Sequence, residues 1–311
     1  MKIEQIYTGC LAQGAYYIQS NGEVAIIDPL REVDDYIARA EKDGAKIKYI
    51  FETHFHADFV SGHITLAEKT GATIVYGPTA KTGFASHIAT DNEVFKVGDI
   101  TITALHTPGH TMESTTYLLK DAEGKDHCIF SGDTLFLGDV GRPDLAQKAA
   151  TMTQEELAGI LFDSLRNKIM TLADDVIVYP AHGAGSACGK NLSTETSSTM
   201  GEQRRNNYAL QFTNADLFVA AVSEGQPEAP GYFIYDAVLN QKNRETLDEH
   251  VSPTVFTITQ LLDARDQGLQ IIDTRESQFF AAGHLHGSVN VGLAGRYAEY
   301  AGSVIRPDED I

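Results

Sequence analysis

The sequence is poor in basic residues and contains no long apolar run. It has 24 Lys and Arg against 43 Asp and Glu, which gives a formal net charge of −19 over 311 residues. A surface this acidic repels phosphate groups, so neither nucleic acid nor an anionic membrane is expected as a partner. No stretch approaches the ~20 consecutive apolar residues that a membrane helix needs. The composition therefore favours small-molecule ligands.

Cysteine is also scarce. Cys10, Cys128 and Cys188 are odd in number, are widely spaced and form no Cys-x-x-Cys pair. This pattern predicts neither a disulfide framework nor a cysteine-based zinc site, and it suits a reducing compartment. The first residues contain no basic stretch followed by an apolar run, so no secretory signal is visible. We expect a cytoplasmic protein, and the sequence leaves its oligomeric state open, a homo-oligomer included.

Short β runs and amphipathic helices alternate along the first two thirds of the chain. Residues 154–170 show helical spacing, and Ser61 is predicted to cap a helix that ends at Gly71. The stretch 225–231 carries two prolines and two glycines, a composition typical of a linker. A new strand and helix pattern begins near Thr257. The sequence thus predicts a large α/β domain, a linker and a smaller α/β segment.

Four predicted strands each lead into a short stretch that contains a histidine or an aspartate. The first of these stretches is Thr-His-Phe-His-Ala-Asp at residues 53–58, and the other three have Gly or Pro beside the polar residue. Strands that end together at one sheet edge bring such side chains to one point, where imidazole and carboxylate suit a borderline divalent metal. A polar loop without a metal explains one such stretch but not four. The candidate ligands are His54, His56, Asp58, His110, Asp133 and His182.

These stretches resemble the motifs of the metallo-β-lactamase superfamily over roughly residues 1–192. The resemblance implies a four-layer αββα sandwich with a metal site at one edge. Finer features are similar to persulfide dioxygenases, the iron enzymes of sulfide oxidation. They are Ser-Gly-Asp-Thr-Leu-Phe at 131–136, Gly-Arg-Pro-Asp at 141–144 and Tyr-Pro-Ala-His-Gly at 179–183.

The C-terminal part carries a second resemblance. Ile-Ile-Asp-Thr-Arg at 271–275 and Ala-Gly-His-Leu-His-Gly-Ser-Val-Asn at 282–290 look like the opening of a rhodanese domain. A rhodanese needs a cysteine nucleophile, and none follows Cys188, so this module is either partial or a docking surface. The expected organisation is a catalytic domain at 1–224, a linker at 225–256 and a partial rhodanese-like α/β segment at 257–311.

One residue departs from the superfamily motif. Phe59 stands where the superfamily has a histidine that serves a second metal. The resemblance then implies a single metal held by His54, His110 and Asp133, the two-histidine, one-carboxylate set of non-haem Fe(II) oxygenases. His56 is either a loose fourth ligand or a hydrogen-bond donor beside the metal. We expect one Fe(II) per chain, with Zn²⁺ as the alternative metal.

Other residues have weaker assignments. Asp58 and His182 are expected to take part in catalysis beside the metal. Arg142 could hold the carboxylate of a thiol substrate, or it could form a structural ion pair with Asp144. Cys188 is either a redox-active thiol near the site or a buried, inert cysteine.

The function that this pattern predicts is a mononuclear iron persulfide dioxygenase. Its substrates would be O₂ and glutathione persulfide or a related small persulfide, and its products sulfite and the thiol. A glyoxalase II-like zinc thioester hydrolase is the first alternative, although Phe59 argues against it. A non-catalytic metal-binding or docking protein is the second alternative.

Overall fold

In a computed structural model, described for residues 1–145, 151–246, 248 and 250–306, two six-stranded sheets pack face to face. The first sheet follows chain order: its first three strands are antiparallel, and the later ones run parallel. Its strands are β1 (Lys2–Thr8), β2 (Gln13–Ser20), β3 (Glu23–Ile27), β4 (Lys46–Phe51), β5 (Thr73–Tyr76) and β6 (His87–Ile88). Helices α1 (Asp34–Lys42) and α2 (His63–Thr70) make the crossovers.

The second sheet is antiparallel except for one parallel pair, formed by its strands Asp126–Gly132 and Ile177–Pro180. It contains β7 (Val94–Val97), β8 (Ile100–His106), β9 (Thr115–Lys120), β10 (Asp126–Gly132), β11 (Ile177–Pro180) and β12 (Ser198–Thr199). Its helices are α3 (Gln154–Ser164), which a π-helical turn (Leu165–Ile169) extends, α4 (Met200–Asn206) and α5 (Ala215–Ser223). A 3₁₀ turn (Tyr208–Gln211) lies between α4 and α5.

Alternation along the strands builds the layers. Ile18 on β2 and Leu119 on β9 face the core between the sheets, whereas their neighbours Tyr17 and Leu118 face the helices on the outside. Side chains of successive strand residues point to opposite faces, so one strand serves two cores. Helices α1 and α2 cover the first sheet, and α3 and α5 cover the second. The four-layer αββα sandwich that the sequence predicted is confirmed.

Residues 225–256, expected to be a linker, contain a helix, α6 (Phe233–Gln241). Phe233 is 3% exposed and Asn240 is fully buried, and both contact the sandwich. Beyond it lie α7 (Ile258–Asp266), β13 (Ile272–Asp273), α8 (Ser277–Ala282), β14 (Val289–Asn290) and α9 (Tyr297–Val304), with β13 and β14 parallel. The expected linker thus contains a helix that packs on the sandwich, while the domain boundaries and the rhodanese-like character stay predictions.

Two local predictions can be compared with the structure. The predicted helix at 154–170 forms, with its last turn π-helical. The predicted helix that ends at Gly71 also forms, but its N-cap is Gly62, and no side chain caps it. The Ser61 hydroxyl instead contacts the Glu52 carboxylate and the Pro29 carbonyl.

Among the described residues, no helix has the length and apolar character to span a bilayer.

Candidate metal centre

The polar stretches that follow four strands meet at one edge of the sandwich. β4 leads to His54, β8 to His110, β10 to Asp133 and β11 to His182. Ligand atoms of His54, His110 and Asp133 all lie within 4.8 Å of one another, and all three side chains are buried. The structure therefore brings together the three residues predicted to hold the metal.

The geometry of these three residues fits a divalent cation. Oδ2 of Asp133 lies 3.5 Å from Nε2 of His110 and 3.9 Å from Nε2 of His54. Metal–ligand bonds of about 2.0–2.2 Å place neighbouring donors ~3–4 Å apart. Oδ2 of Asp133 is buried and accepts no hydrogen bond from any described residue. A buried carboxylate oxygen without a partner is costly, and a bound cation would supply that partner.

Hydrogen bonds fix which nitrogen of each histidine faces this point. Nδ1 of His110 lies 2.9 Å from the carbonyl oxygen of Arg142 and must donate its proton there. Nδ1 of His54 lies 3.0 Å from the Thr53 hydroxyl, which itself donates to the Asp28 carboxylate over 2.8 Å. Both Nε2 atoms therefore present lone pairs to Asp133. Partners of this kind set the tautomer of metal-binding histidines.

Two glycines allow the backbone to pass close to the ligands. Gly132, directly before Asp133, has a φ of +54°, and a Cβ there would lie 2.6 Å from Cβ of Thr53. A Cβ on Gly141 would lie 2.0 Å from the carbonyl oxygen of Asp133 and 3.0 Å from Nδ1 of His110. A side chain at either position would displace the loop that carries a ligand. This close approach explains why both motifs contain glycine.

His182 connects Asp133 to Asp58. Its Nδ1 lies 2.8 Å from Oδ1 of Asp133, and its Nε2 lies 2.8 Å from Oδ2 of Asp58. Burial lowers the pKa of His182, but Asp133 and Asp58 reverse this effect and raise it to about 10. Burial would raise the pKa of Asp133, yet His182, His54 and His110 hold it well below its usual range. Asp133 is therefore a carboxylate at any physiological pH.

His56 lies beside His54, with ring centroids 4.2 Å apart, and its Nε2 faces two carboxylates. Oδ1 of Asp28 is 3.0 Å from this nitrogen, and Oε2 of Glu52 is 3.3 Å from it. Burial would lower the pKa of His56, but these two carboxylates hold it well above its ordinary value. With Nε2 directed at these carboxylates, Nδ1 of His56 is buried and has no hydrogen-bond partner among the described residues, so both roles predicted for His56 stay open.

Two further residues hold the loop that carries His56. The Phe59 ring packs on the His56 ring, with centroids 4.4 Å apart. From α6, the amide nitrogen of Asn240 donates to the carbonyl oxygens of His56 and Phe59, over 2.9 and 2.8 Å. Its oxygen accepts from the amide of Ser61 over 2.9 Å. Sequence analysis missed Asn240, because an isolated asparagine far along the chain gives no local signal.

Arg142 has the structural role that the sequence left as its alternative. Its guanidinium is 1% exposed and forms a two-point ion pair with Asp144, with both nitrogen–oxygen distances 2.7 Å. It also donates to the carbonyl oxygens of Ala187 and Pro227. Because this guanidinium is buried among protein acceptors, the geometry favours the ion pair with Asp144, and a contact of Arg142 with substrate stays a prediction. Arg142 serves the site through its own carbonyl group, which holds His110.

Cys188 lies near the predicted site. Its thiol belongs to a buried cluster with Asp58 and His182, in which the ligand atoms are within 4.8 Å of one another. The side chain is 2% exposed and packs with Phe136 and Phe233. Burial, reinforced by Asp133 and Asp58, raises the pKa of the Cys188 thiol well above its ordinary value. This thiol is therefore protonated at neutral pH unless a cation lies beside it.

Two cavities border the site. One, of about 330 Å³, reaches His110 and is lined by apolar residues together with Lys81 and Glu113. The other, of about 660 Å³, reaches Asp58 and is lined by Cys10, Arg31, Asp236 and residues of α9. One cavity thus ends at His110 and the other at Asp58.

Comparisons with known proteins agree with this architecture. The model of the metallo-beta-lactamase superfamily matches residues 8–182. A cytoplasmic hydroxyacylglutathione hydrolase from Arabidopsis thaliana is 35% identical over 147 residues, which are 46% of this chain. That alignment covers 56% of the Arabidopsis protein, so the chain matches little more than half of this relative's length.

Two solved structures are similar over most of the chain. A metallo-beta-lactamase from Staphylococcus aureus is 32% identical with a TM-score of 0.90, over 99% of this chain and 90% of that one. The structure of ETHE1 from Myxococcus xanthus is 25% identical with a TM-score of 0.67, over 78% of this chain and 98% of that one. The first similarity extends through the C-terminal elements, which lie beyond the residues that the family model matches.

Proposed function

The chain belongs to the metallo-beta-lactamase superfamily, and from this membership and the ligand geometry we propose that it is a mononuclear non-haem iron persulfide dioxygenase. The observation that carries the proposal is the set of His54, His110 and Asp133, without an imidazole at position 59. Two histidines and one carboxylate leave open positions on a metal, which suits binding of both a thiolate-type sulfur and O₂. The similarity to the ETHE1 structure fits this proposal.

The reaction would combine a small persulfide, O₂ and water to give sulfite and the free thiol. Iron(II), when bound, would supply a point at which the persulfide sulfur and O₂ meet and O₂ is activated. The protein would hold this ion with Nε2 of His54, Nε2 of His110 and Oδ2 of Asp133. Arg142 and Thr53 would keep the two imidazoles in the required tautomer. Asp58 and His182 are then positioning residues, since they fix the other oxygen of Asp133.

The cavity beside His110 is the proposed entrance for the persulfide. Its wall is formed by Phe55, Met112, Leu145 and Ala237, which suit the apolar part of a thiol carrier. Lys81 and Glu113 at the same cavity could pair with the carboxylates and the amino group of a glutathione-like peptide. Glutathione persulfide is therefore the first substrate to test, in a cytoplasmic enzyme.

A glyoxalase II-like thioester hydrolase is the second candidate. The similarity to the Arabidopsis hydroxyacylglutathione hydrolase favours it, and the same three ligands would suit Zn²⁺. The metal would then generate hydroxide at neutral pH, and no O₂ would be consumed. We also propose that residues 257–311 form a partial rhodanese-like segment, whichever reaction the metal centre performs. None of the proposed metal ligands lies in this segment.

Two assays distinguish the two candidate reactions. Protein purified without oxygen and loaded with Fe(II) is mixed with glutathione persulfide, and O₂ uptake and sulfite are followed. The same protein, loaded with Zn²⁺, is mixed with a glutathione thioester, and thiol release is followed. We expect O₂ uptake and sulfite in equal amounts, no significant thioester hydrolysis, and loss of both metal and O₂ uptake in His110→Ala.

The buried cysteine outside the cluster provides the control. Cys128 lies in the core between the sheets, so Cys128→Ala should keep the O₂ uptake of the wild-type protein. Thioester hydrolysis without O₂ uptake would favour the hydrolase. A protein that retains no metal after loading would favour a binding or docking role instead.

A further inference from the structure

The larger of the two cavities, of about 660 Å³, has no part in the proposed reaction. It lies between the sandwich, the start of α6 and helix α9, and its walls are mostly apolar. Leu11, Phe59 and Tyr232 contribute to these walls from three separate parts of the chain, and Ile305 contributes from the end of α9. Small-molecule sites are typically cavities of about 300–1,000 Å³ with apolar walls and a few polar groups. This cavity has the size and the lining of such a site.

Helix α9 forms a fixed wall of this cavity. Ala301 on α9 is 9% exposed, and a Cβ on Gly302 would lie 2.9 Å from Cδ1 of Tyr232. The Tyr232 ring in turn packs edge-on against the buried Phe233, with ring centroids 5.2 Å apart. A ligand in this cavity would therefore contact both the sandwich and the C-terminal elements.

One charged group of the cavity has no partner in the described part of the chain. Arg31, on the loop between β3 and α1, lines the cavity, and its Nε is buried without a hydrogen bond to any described residue. Glu32, Asp58 and Asp236 line the same cavity, yet none of these carboxylates forms an ion pair with Arg31. A half-buried guanidinium without a partner is costly, and a bound anion would supply that partner.

A second guanidinium increases the positive potential at Arg31. Arg244 donates to the carbonyl oxygen of Ser61, which pairs with Leu30, the residue before Arg31. The Nε of Arg244 is also buried without a hydrogen bond to any described residue. Burial, followed by the charge of Arg31, lowers the pKa of the Arg244 guanidinium, so the two cations interact. Two cations this close favour an anion beside them.

We infer that this cavity binds a small organic monocarboxylate. Arg31 holds the carboxylate through two parallel hydrogen bonds, a geometry that a guanidinium matches well. The apolar body of the ligand packs against Leu11, Phe59 and Tyr232. The three acidic side chains of the cavity disfavour a second negative charge on the ligand, which argues against a phosphate ester. Binding makes and breaks no covalent bond, and the inference holds whichever reaction the metal centre performs.

Cys10 lines the same cavity and reports its occupancy. It is half-exposed, whereas Cys128 and Cys188 are buried. The reduced, metal-loaded full chain is treated with N-ethylmaleimide, and the rate of labelling at Cys10 is followed by peptide mass spectrometry at increasing octanoate. We expect octanoate to slow this labelling until the effect saturates, and calorimetry to give the same dissociation constant. The neutral 1-octanol and the dianionic octyl phosphate should each bind about tenfold more weakly or worse.

Substitution of Arg31 tests the charged contact. Arg31→Gln should raise the dissociation constant of octanoate by ~10-fold or more, because it removes a charge-assisted contact. The slowing of labelling relative to the same variant without octanoate is compared, so a change in the reactivity of Cys10 does not affect the result. Arg205→Gln is the matched control, since Arg205 pairs with Glu202 on α4 and lies outside the cavity. It should retain the protection seen in the wild-type protein.

The remaining outcomes decide against the inference. Circular dichroism and metal content check that each variant is folded, and Arg31→Lys, which keeps the charge without the two-point geometry, replaces Arg31→Gln if the latter is unfolded. Arg31→Lys should weaken octanoate binding by a smaller factor. Octanoate that leaves the labelling of Cys10 unchanged would overturn the inference. Equal protection by octanol or octyl phosphate, or full protection in the Arg31 variant, would overturn it as well.

Discussion

The amide nitrogen of Asn240 donates a hydrogen bond to the backbone carbonyl of His56, which lies 184 positions earlier in the chain. The same nitrogen bonds the carbonyl of Phe59, and the amide oxygen accepts from Ser61. One fully buried side chain thus satisfies three backbone groups of the loop that carries His54, His56 and Asp58. Helix α6 is therefore part of the metal centre, although it supplies no ligand.

The first prediction concerns this contact. Asn240→Leu keeps the side-chain volume but leaves one buried N–H and two carbonyl groups unsatisfied, so the free energy of unfolding should fall by ~2–4 kcal/mol. Because these groups belong to the ligand loop, the metal dissociation constant should rise by ~10-fold or more. Urea unfolding and competition with a chromophoric chelator measure the two effects.

Asn207 offers a matched control. It is also fully buried, its amide donates to the carbonyls of Phe136 and Asp139, and its oxygen accepts from Ala209. Asn207→Leu should lower the free energy of unfolding by a similar amount while changing metal affinity much less. Equal losses of metal affinity in the two variants would mean that Asn240 acts only through global stability.

The second prediction concerns Thr53, whose hydroxyl connects Asp28 to Nδ1 of His54. Thr53→Val has nearly the same shape but no acceptor for the Nδ1 proton, so the tautomer of His54 is no longer fixed. The metal dissociation constant should rise by ~10–100-fold, the range for loss of such partners. Thr103 is the control, because its buried hydroxyl has no partner among the described residues. Thr103→Val should leave metal affinity unchanged.

The third prediction concerns Asp236 on α6. Burial, followed by the charge of Asp58, raises the pKa of this carboxyl to about 7, against the lowering effect of Arg31. The folded state thus keeps the proton up to about pH 7, whereas the unfolded chain loses it near pH 4. Ionisation of Asp236 therefore opposes folding, and its cost grows as the pH rises from about 4 to about 7.

Asp236→Asn removes this cost. In metal-free protein, the variant should exceed the wild type in free energy of unfolding by ~1–3 kcal/mol at pH 8, after allowance for solvent screening. The difference should shrink towards zero near pH 4. Chemical unfolding at several pH values measures it. A difference that does not change with pH would show that the substitution acts through packing.

Sequence reasoning went furthest where a local pattern carries the information. The strands, their alternation and the meeting of His54, His110 and Asp133 follow from rules that link residue spacing to strand geometry. Asp28 was overlooked although it too directly follows a strand, β3, and the rule applied to the other four strands would have found it. The prediction that Ser61 caps α2 is wrong, because its hydroxyl binds the buried carboxylate of Glu52 instead. Sequence spacing does not show that distant partner. Asn240 had no local signal at all.

The last prediction compares the domain boundary expected from sequence with the contacts of α6. A chain of residues 1–224 lacks Asn240, the buried Phe233 that packs on Cys188 and Phe136, and the Pro227 carbonyl that accepts from Arg142. A chain of residues 1–256 keeps all three. Helices α7 and α8 bury no residue, and Ala301 on α9 is the buried residue of the last helix. We therefore expect 1–256 to bind metal at His54, His110 and Asp133 with nearly the affinity of the full chain. The shorter chain should lose most of that affinity and unfold at lower urea, because its ligand loop is left with unsatisfied backbone groups.

Chelator competition and urea unfolding of both chains measure this, with His110→Ala in the longer chain as the metal-free reference. Full affinity in 1–224 would show that α6 is dispensable for the metal centre, and loss of metal from 1–256 would assign part of the centre to the C-terminal segment.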